Sequence, residues 1–185
     1  MHRLFVAIRP PEAVRELLLD LMEGITALRW QDDDQLHLTL RFIGEVERPV
    51  AEDVASELAR VSFDSFPLAI DGIGRFDHRR GGALWTGVAP KDQIKALAQK
   101  VERACQAAGL PPERRAFHPH VTLARWNRTP PNLEPFILSH GSLRSARWDV
   151  DHFSLYESHL ARDGAHYEEI LRLRLSPRTD PLPLD

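Results

Sequence analysis

The stretch "HLTL" at His37 to Leu40 returns almost letter for letter as "HVTL" at His120 to Leu123. In a shuffled chain of this composition H-x-T-L is expected about 0.04 times, so two copies need a cause. Alternate residues of a strand share a face. Leu36, Leu38, Leu40 and Phe42 therefore point one way, toward a core, and His37, Thr39 and Arg41 the other. The second copy has the same parity, with His120 and Thr122 together and Val121 and Leu123 turned inward. A single such histidine is more often an ordinary packed or exposed residue. The repeated pair reverses that reading, because an imidazole and a hydroxyl aligned on each of two strands is an odd surface with nothing to bind.

Outward from these words the chain reads as alternating short elements. "RLFVAI" at Arg3 to Ile8 is a first strand ended by two prolines, and a helix from Pro11 to Gly24 follows on the spacing of Val14, Leu17, Leu18, Leu21 and Met22. The acidic run at 32–34 reads as a solvated turn before the first histidine strand. A helix between Pro49 and Val61 leads to two strands, "FPLAIDGIGRF" and "GALWTGVAP", around the basic loop "DHRRGG". Lys91 to Ala108 is a strongly amphipathic helix stopped by Gly109 and two prolines. The second histidine strand, a short helix near Leu133 to Leu138 and two final strands, "WDVDHFSLYES" and "HYEEILRLRL" joined through "RDG", complete the order. This is an α+β pattern in which the histidine strands occupy comparable places in two halves, as an internal duplication would give. Residues 1–175 form one duplicated domain in this reading, and 176–185 a loose proline-rich tail.

Composition narrows the function. With 185 residues and 43% hydrophobic content the chain can fill one core. A net charge of −3 gives no global field for nucleic acid or anionic membrane, so an anionic ligand must be met by a local pocket. The one cysteine, Cys105, allows no internal disulfide and reads as a buried helix thiol. The N-terminal apolar run is too short for a signal peptide or a membrane span, and we read the chain as cytoplasmic.

Two histidines near their ordinary pKa of about 6.5, one protonated and one neutral, make an acid and base pair suited to in-line attack on a phosphodiester. Each proton-transfer role is worth roughly 10²- to 10⁴-fold in rate. The threonine hydroxyls would donate to the non-bridging oxygens, and no metal or other cofactor is required. His118 and His120 form an H-x-H pair, but the intervening Pro119 and the lack of nearby carboxylates argue against chelation. The basic runs at 78–80 and 113–115 read as solvated turns that could also guide RNA. Phe42, Trp126 and Tyr156 could stack a base, although core packing is the default for each, and Trp85 is assigned to the core.

The paired words, with "RLFVAI" and its proline, "HLTLRFIGEV", "FHPHVTLAR", "ALWTGV" and "LYESHLARDGAHYEEI", resemble the two-histidine phosphoesterases over roughly residues 2–175. Within them the chain is similar to the bacterial RNA 2′,3′-cyclic phosphodiesterases, also named 2′-5′ RNA ligases. The resemblance implies a bilobal fold of two mainly antiparallel sheets flanking a central cleft, with helices outside. It implies hydrolysis of a terminal 2′,3′-cyclic phosphate to a 2′-phosphomonoester, with His37 as proton donor to the leaving 3′-oxygen and His120 as the base that activates water. Thr39 and Thr122 would hold the phosphate. Arg125 also matches a phosphate-contacting position, yet strand parity turns it from the cleft unless a bulge intervenes. Arg41 has the right parity for the cleft. The partner is then RNA ending in a cyclic phosphate, tRNA fragments included, bound by a monomer. Ligation by the reverse chemistry, cleavage of 2′-5′ oligonucleotides or nucleotide cyclic phosphates, and non-catalytic binding of RNA ends remain alternatives.

Overall fold

A computed structural model describes residues 1–161 and 164–178. The end of the expected tail, 179–185, and two residues of the "RDG" turn, 162 and 163, lie outside them. The elements are β1 (His2–Ile8), α1 (Glu12–Leu19), β2 (Arg29–Trp30), a 3₁₀ turn (Asp33–Gln35), β3 (Leu38–Val46), α2 (Arg48–Leu58), β4 (Phe66–His78), β5 (Gly81–Ala89), α3 (Lys91–Ala107), β6 (His120–Asn127), α4 (Glu134–His140), β7 (Trp148–Val150), β8 (His152–Ala161) and β9 (Gly164–Arg174). Among the described residues no helix is long and apolar enough to cross a membrane.

The α+β expectation holds, but the two expected sheets are halves of one. The strands run β7-β4-β5-β6-β3-β1-β8-β9, with β2 added on β6. Both histidine strands lie at the centre, where β3 and β6 join through one antiparallel pair, Leu38 opposite Val121. Each is reached the same way: β1, α1 and β3 on one side, β5, α3 and β6 on the other, with the histidine strand antiparallel to the strand before the helix. The duplication is therefore visible in topology, although the half-sheets are not the halves of the sequence. "WDVDHFSLYES" breaks at Asp151, so that β7 pairs with β4 and β8 crosses to pair with β1.

One face of the sheet carries the core. Leu4, Val6, Ile8, Leu38, Leu40, Val121 and Leu123 pack against Val14 and Leu18 of α1, Val54 and Leu58 of α2, and Ile94 and Leu97 of α3. Burying each of these side chains stabilises the fold by about 1.5–3 kcal/mol. The opposite face of the central strands is left to His37, Thr39, His120 and Thr122. The start of the expected tail is also ordered: Ser176 N–H donates to Phe63 O and Ser65 N–H to Ser176 O.

The same irregularity occurs in both histidine strands, and β3 has a second one further along, at Ile43. Arg41 opposes Val6 and Thr39 opposes Ala7, leaving Leu40 as an extra residue; Ala124 opposes Leu84 and Thr122 opposes Trp85, leaving Leu123 extra. The last letter of each H-x-T-L word is thus a β-bulge, and a bulge reverses the parity of everything after it. Arg41 is consequently on the core side, correcting the expectation that it lines the cleft. It is 9% exposed, its Nε pairs with Glu102 of α3 at 2.7 Å, and its Nη2 donates to Pro111 O at 2.7 Å. Glu113 closes the cluster at 3.3 Å from Nη1. Arg41→Ala should lower the unfolding free energy by about 1–3 kcal/mol, because it strands two partly buried carboxylates. A chemical denaturation curve superimposable on wild type would show that this cluster carries no stability.

Candidate active site

The register at the sheet centre builds the site. Carried one residue either way from the Leu38–Val121 pair, it sets His37 across from Thr122 and Thr39 across from His120, all on the face the helices leave open. Cross-strand neighbours of this kind have Cβ atoms about 4.5–5.5 Å apart. Each imidazole therefore faces the other strand's hydroxyl. Among the described residues neither threonine hydroxyl is engaged in a hydrogen bond.

The bulge at Leu123 brings Arg125 to the same face. Arg125 pairs with Ala83, two residues from Trp85 and so on the same side of β5. Its positive charge is felt by both His37 and His120. The bulge gives Arg125 the side of the strand that unbroken alternation denies it. By the same count Phe42 is the counterpart of Arg125 in the first half, and it is 42% exposed with the Arg3 guanidinium 5.6 Å from its ring.

The two imidazoles sit in different surroundings. His120 Nδ1 lies 2.6 Å from His118 O, so Nδ1–H donates to that carbonyl and the neutral ring keeps its lone pair on Nε2. Burial lowers its pKa from 6.5, the His118 backbone opposes that, and the charges of His118 and Arg125 add to the lowering. Phe76 meets the ring edge-on at 5.0 Å and Trp85 lies 6.0 Å away. Trp85, expected in the core, is instead a wall of the cleft; Gly74 makes room for it, since a Cβ there would meet the indole at 2.3 Å.

His37 is held more tightly. Phe5 is 4.9 Å and Tyr167 5.1 Å from its ring, and its buried Nδ1 is left to the Gln35 backbone without a well-formed hydrogen bond, so that Nε2 meets the cleft. Burial drives its pKa down to about 4; the Gln35 backbone works against this, and Arg125, His120 and Arg9 reinforce it. The 3₁₀ turn before it is no mere solvated bend. Asp33 binds Arg15 at 2.7 Å and Arg9 at 2.5 Å, and Gln35 donates to Ala165 O at 3.1 Å. Arg15 holds the Asp33 carboxyl below its ordinary range.

The aromatic walls were partly readable. Phe5 alternates against Leu4, Val6 and Ile8, so it could not join them, and of adjacent Leu84 and Trp85 one had to face outward. Of the aromatics singled out for stacking, Trp126 is core and Tyr156 is buried with its ring stacked 5.2 Å from Phe5; Phe42 alone is open. Among the described residues no group of three or more His, Cys, Asp or Glu gathers to hold a metal ion.

Paired imidazoles and hydroxyls across the centre of a duplicated sheet define a two-histidine phosphoesterase. The chain belongs to the 2′-5′ RNA ligase superfamily, whose sequence profile matches residues 10–162. An RNA 2′,3′-cyclic phosphodiesterase of Aeropyrum pernix is 34% identical over 147 residues, 77% of this chain and 84% of that protein. A protein of the same name from Archaeoglobus fulgidus is 26% identical over 91% of this chain and 97% of its own. Escherichia coli LigT, solved in complex with 3′-AMP, superposes with a TM-score of 0.79 at 28% identity, covering 94% of this chain and 98% of that one.

The depressed pKa of His37 makes stability depend on pH. An unfolded histidine titrates near 6.5 and this one near 4, so as pH falls the unfolded chain takes up the proton first. His37 alone should leave stability full above about pH 6.5 and remove about 3 kcal/mol between there and pH 4. In His37→Gln that part of the stability curve should flatten; an equally steep loss would place its origin elsewhere.

Proposed function

We propose that the protein hydrolyses the 2′,3′-cyclic phosphate at the end of an RNA strand to a 2′-phosphomonoester, by acid and base catalysis from its two histidines. The observation that carries the reading is the placement of His37 and His120 across one suture, each opposite the other strand's threonine, with Arg125 charged beside both. The names of the relatives support it.

His120 Nε2 takes a proton from water as the water oxygen attacks phosphorus. Its Nδ1–H bond to His118 O fixes the tautomer that makes this possible and stabilises the imidazolium that results. The bond from phosphorus to the ribose 3′-oxygen breaks, and His37 delivers a proton to that oxygen. Thr39, Thr122 and Arg125 hold the non-bridging oxygens, where charge accumulates in the transition state. Arg41 has no part in this, since it is spent on the far side of the sheet. With a 5′-hydroxyl in place of water, the same steps form a 2′-5′ linkage: the hydroxyl gives its proton to His120, attacks phosphorus, and the 3′-oxygen leaves with the proton of His37. The reaction needs no metal or cofactor, and the protein works as a cytoplasmic monomer on RNA fragments such as those of tRNA.

In the free protein both imidazoles titrate below 6.5 and His37 near 4, so at neutral pH the acid is almost wholly deprotonated. An anionic phosphate in the cleft offsets the charge of Arg125 and draws the proton onto His37. Because kcat/KM reports the free enzyme, it should peak below pH 6.5 and fall about tenfold per unit above it. A maximum at pH 8 would contradict the assignment.

The direct test is a short RNA bearing a terminal cyclic phosphate, incubated with a chelator present. A 2′-phosphate product is expected, and His37→Ala and His120→Ala should each reduce turnover by at least about 10²-fold while unfolding normally. A 3′-phosphate product, or near-full activity in either variant, would overturn the mechanism.

A further inference from the structure

The chain is net acidic, at −3, and many of its arginines are matched by carboxylates: Arg9 with Asp33, Arg41 with Glu102, Arg75 with Asp77, Arg115 with Glu113. Among the described arginines without an ion pair, Arg3, Arg103, Arg114 and Arg174 are scattered, whereas five, Arg29, Arg79, Arg80, Arg125 and Arg128, are collected by the fold at one end of the cleft. Arg29 and Arg125 are directly opposite one another on β2 and β6. Arg128 N–H donates to Arg80 O, which ties the end of β6 to the tip of the β4–β5 hairpin.

The Arg29–Arg125 pair is the informative one. Like charges directly opposite across two strands repel, and among the described residues no carboxylate lies within 4 Å of either guanidinium. Arg29 also shares the face of Arg125: its neighbour Trp30 opposes Ala124, and Trp30 packs against the apolar cluster of Leu28, Leu84 and Ala124 on the other side. Both guanidinium groups are exposed. Such an arrangement has a missing partner, and the partner is an anion long enough to span both.

Arg125 is taken up by the cyclic phosphate in the reading above, on which this step rests. Arg29 is the next cation outward along the same face, and Arg128, Arg79 and Arg80 continue from it. We propose that Arg29 binds the internucleotide phosphate on the 5′ side of the cyclic end, and that the arginines beyond it guide the single strand, so that the protein discriminates RNA ends from mononucleotides. The cleft thereby reads chain length through charge.

The test compares a mononucleotide 2′,3′-cyclic phosphate with a short RNA ending in the same cyclic nucleotide, for wild type, Arg29→Gln and Arg29→Lys. For the RNA, Arg29→Gln should lower kcat/KM about fivefold and reduce the slope of log kcat/KM against log salt by about 0.7, the value for one lost single-strand phosphate contact. Turnover of the mononucleotide should not change, which also reports an intact fold, and Arg29→Lys should recover most of the loss. Equal losses on both substrates, or none on the RNA, would overturn the proposal. Fluorescence anisotropy with an RNA ending in a 2′-phosphate separates this proposal from the activity it rests on. If wild type turns over neither substrate, the phosphodiesterase reading fails; weaker binding by Arg29→Gln would still uphold the arginine track, and unchanged binding would end it.

Discussion

The bulge at the fourth residue of each H-x-T-L word is the constraint on which the site depends. Up to the threonine, strict alternation puts imidazole and hydroxyl on one face and leucine or valine on the other. At Leu40 and Leu123 the strand spends an extra residue on the core side. The shift sends Arg41 inward, where it ties β3 to α3 and to the loop before the second histidine, and sends Arg125 outward, where it charges the cleft. One local irregularity, repeated, thus supplies both a clamp behind the sheet and a cation in front of it.

The duplication makes the two halves alike in backbone and different in chemistry. His120 Nδ1–H donates to the His118 carbonyl and its ring stands beside the Trp85 indole; His37 has the Gln35 backbone in the corresponding place but no well-formed Nδ1 hydrogen bond, and is packed between Phe5 and Tyr167. The first keeps its Nε2 lone pair free to receive a proton, while burial leaves the second almost wholly neutral at neutral pH. In the proposed mechanism two residues with the same name take opposite tasks from their neighbours, and the five-residue offset that gives Arg125 in one half gives Phe42 in the other.

Much of this was legible in the sequence because it depends on periodicity. The order of strands and helices, the two histidine strands and the shared face of imidazole and hydroxyl all follow from alternation and spacing. What alternation cannot show is where it is interrupted. Arg41 and Arg125 were both placed by counting, and both were moved by a residue whose side chain, leucine, looks like any other core leucine. The break at Asp151 was hidden likewise, since "WDVDHFSLYES" keeps a strand-like composition while its two parts pair with opposite ends of the sheet. The acidic run at 32–34 looked solvated because its partners, Arg9 and Arg15, lie beyond local reach in the sequence. The opposed Arg29 and Arg125 could not be read either, because β2 is two residues long and its pairing is wholly tertiary.

The proposed mechanism turns on the different states of the two imidazoles, and long-range ¹H–¹⁵N correlation spectra of histidine-labelled protein observe them directly. In the free protein at neutral pH the spectra should show His120 as the neutral Nδ1–H tautomer and His37 neutral, with His37 becoming protonated when an RNA ending in a 2′-phosphate is added. An Nε2–H tautomer at His120, or a His37 that stays neutral with that RNA bound, would contradict the assignment of base and acid.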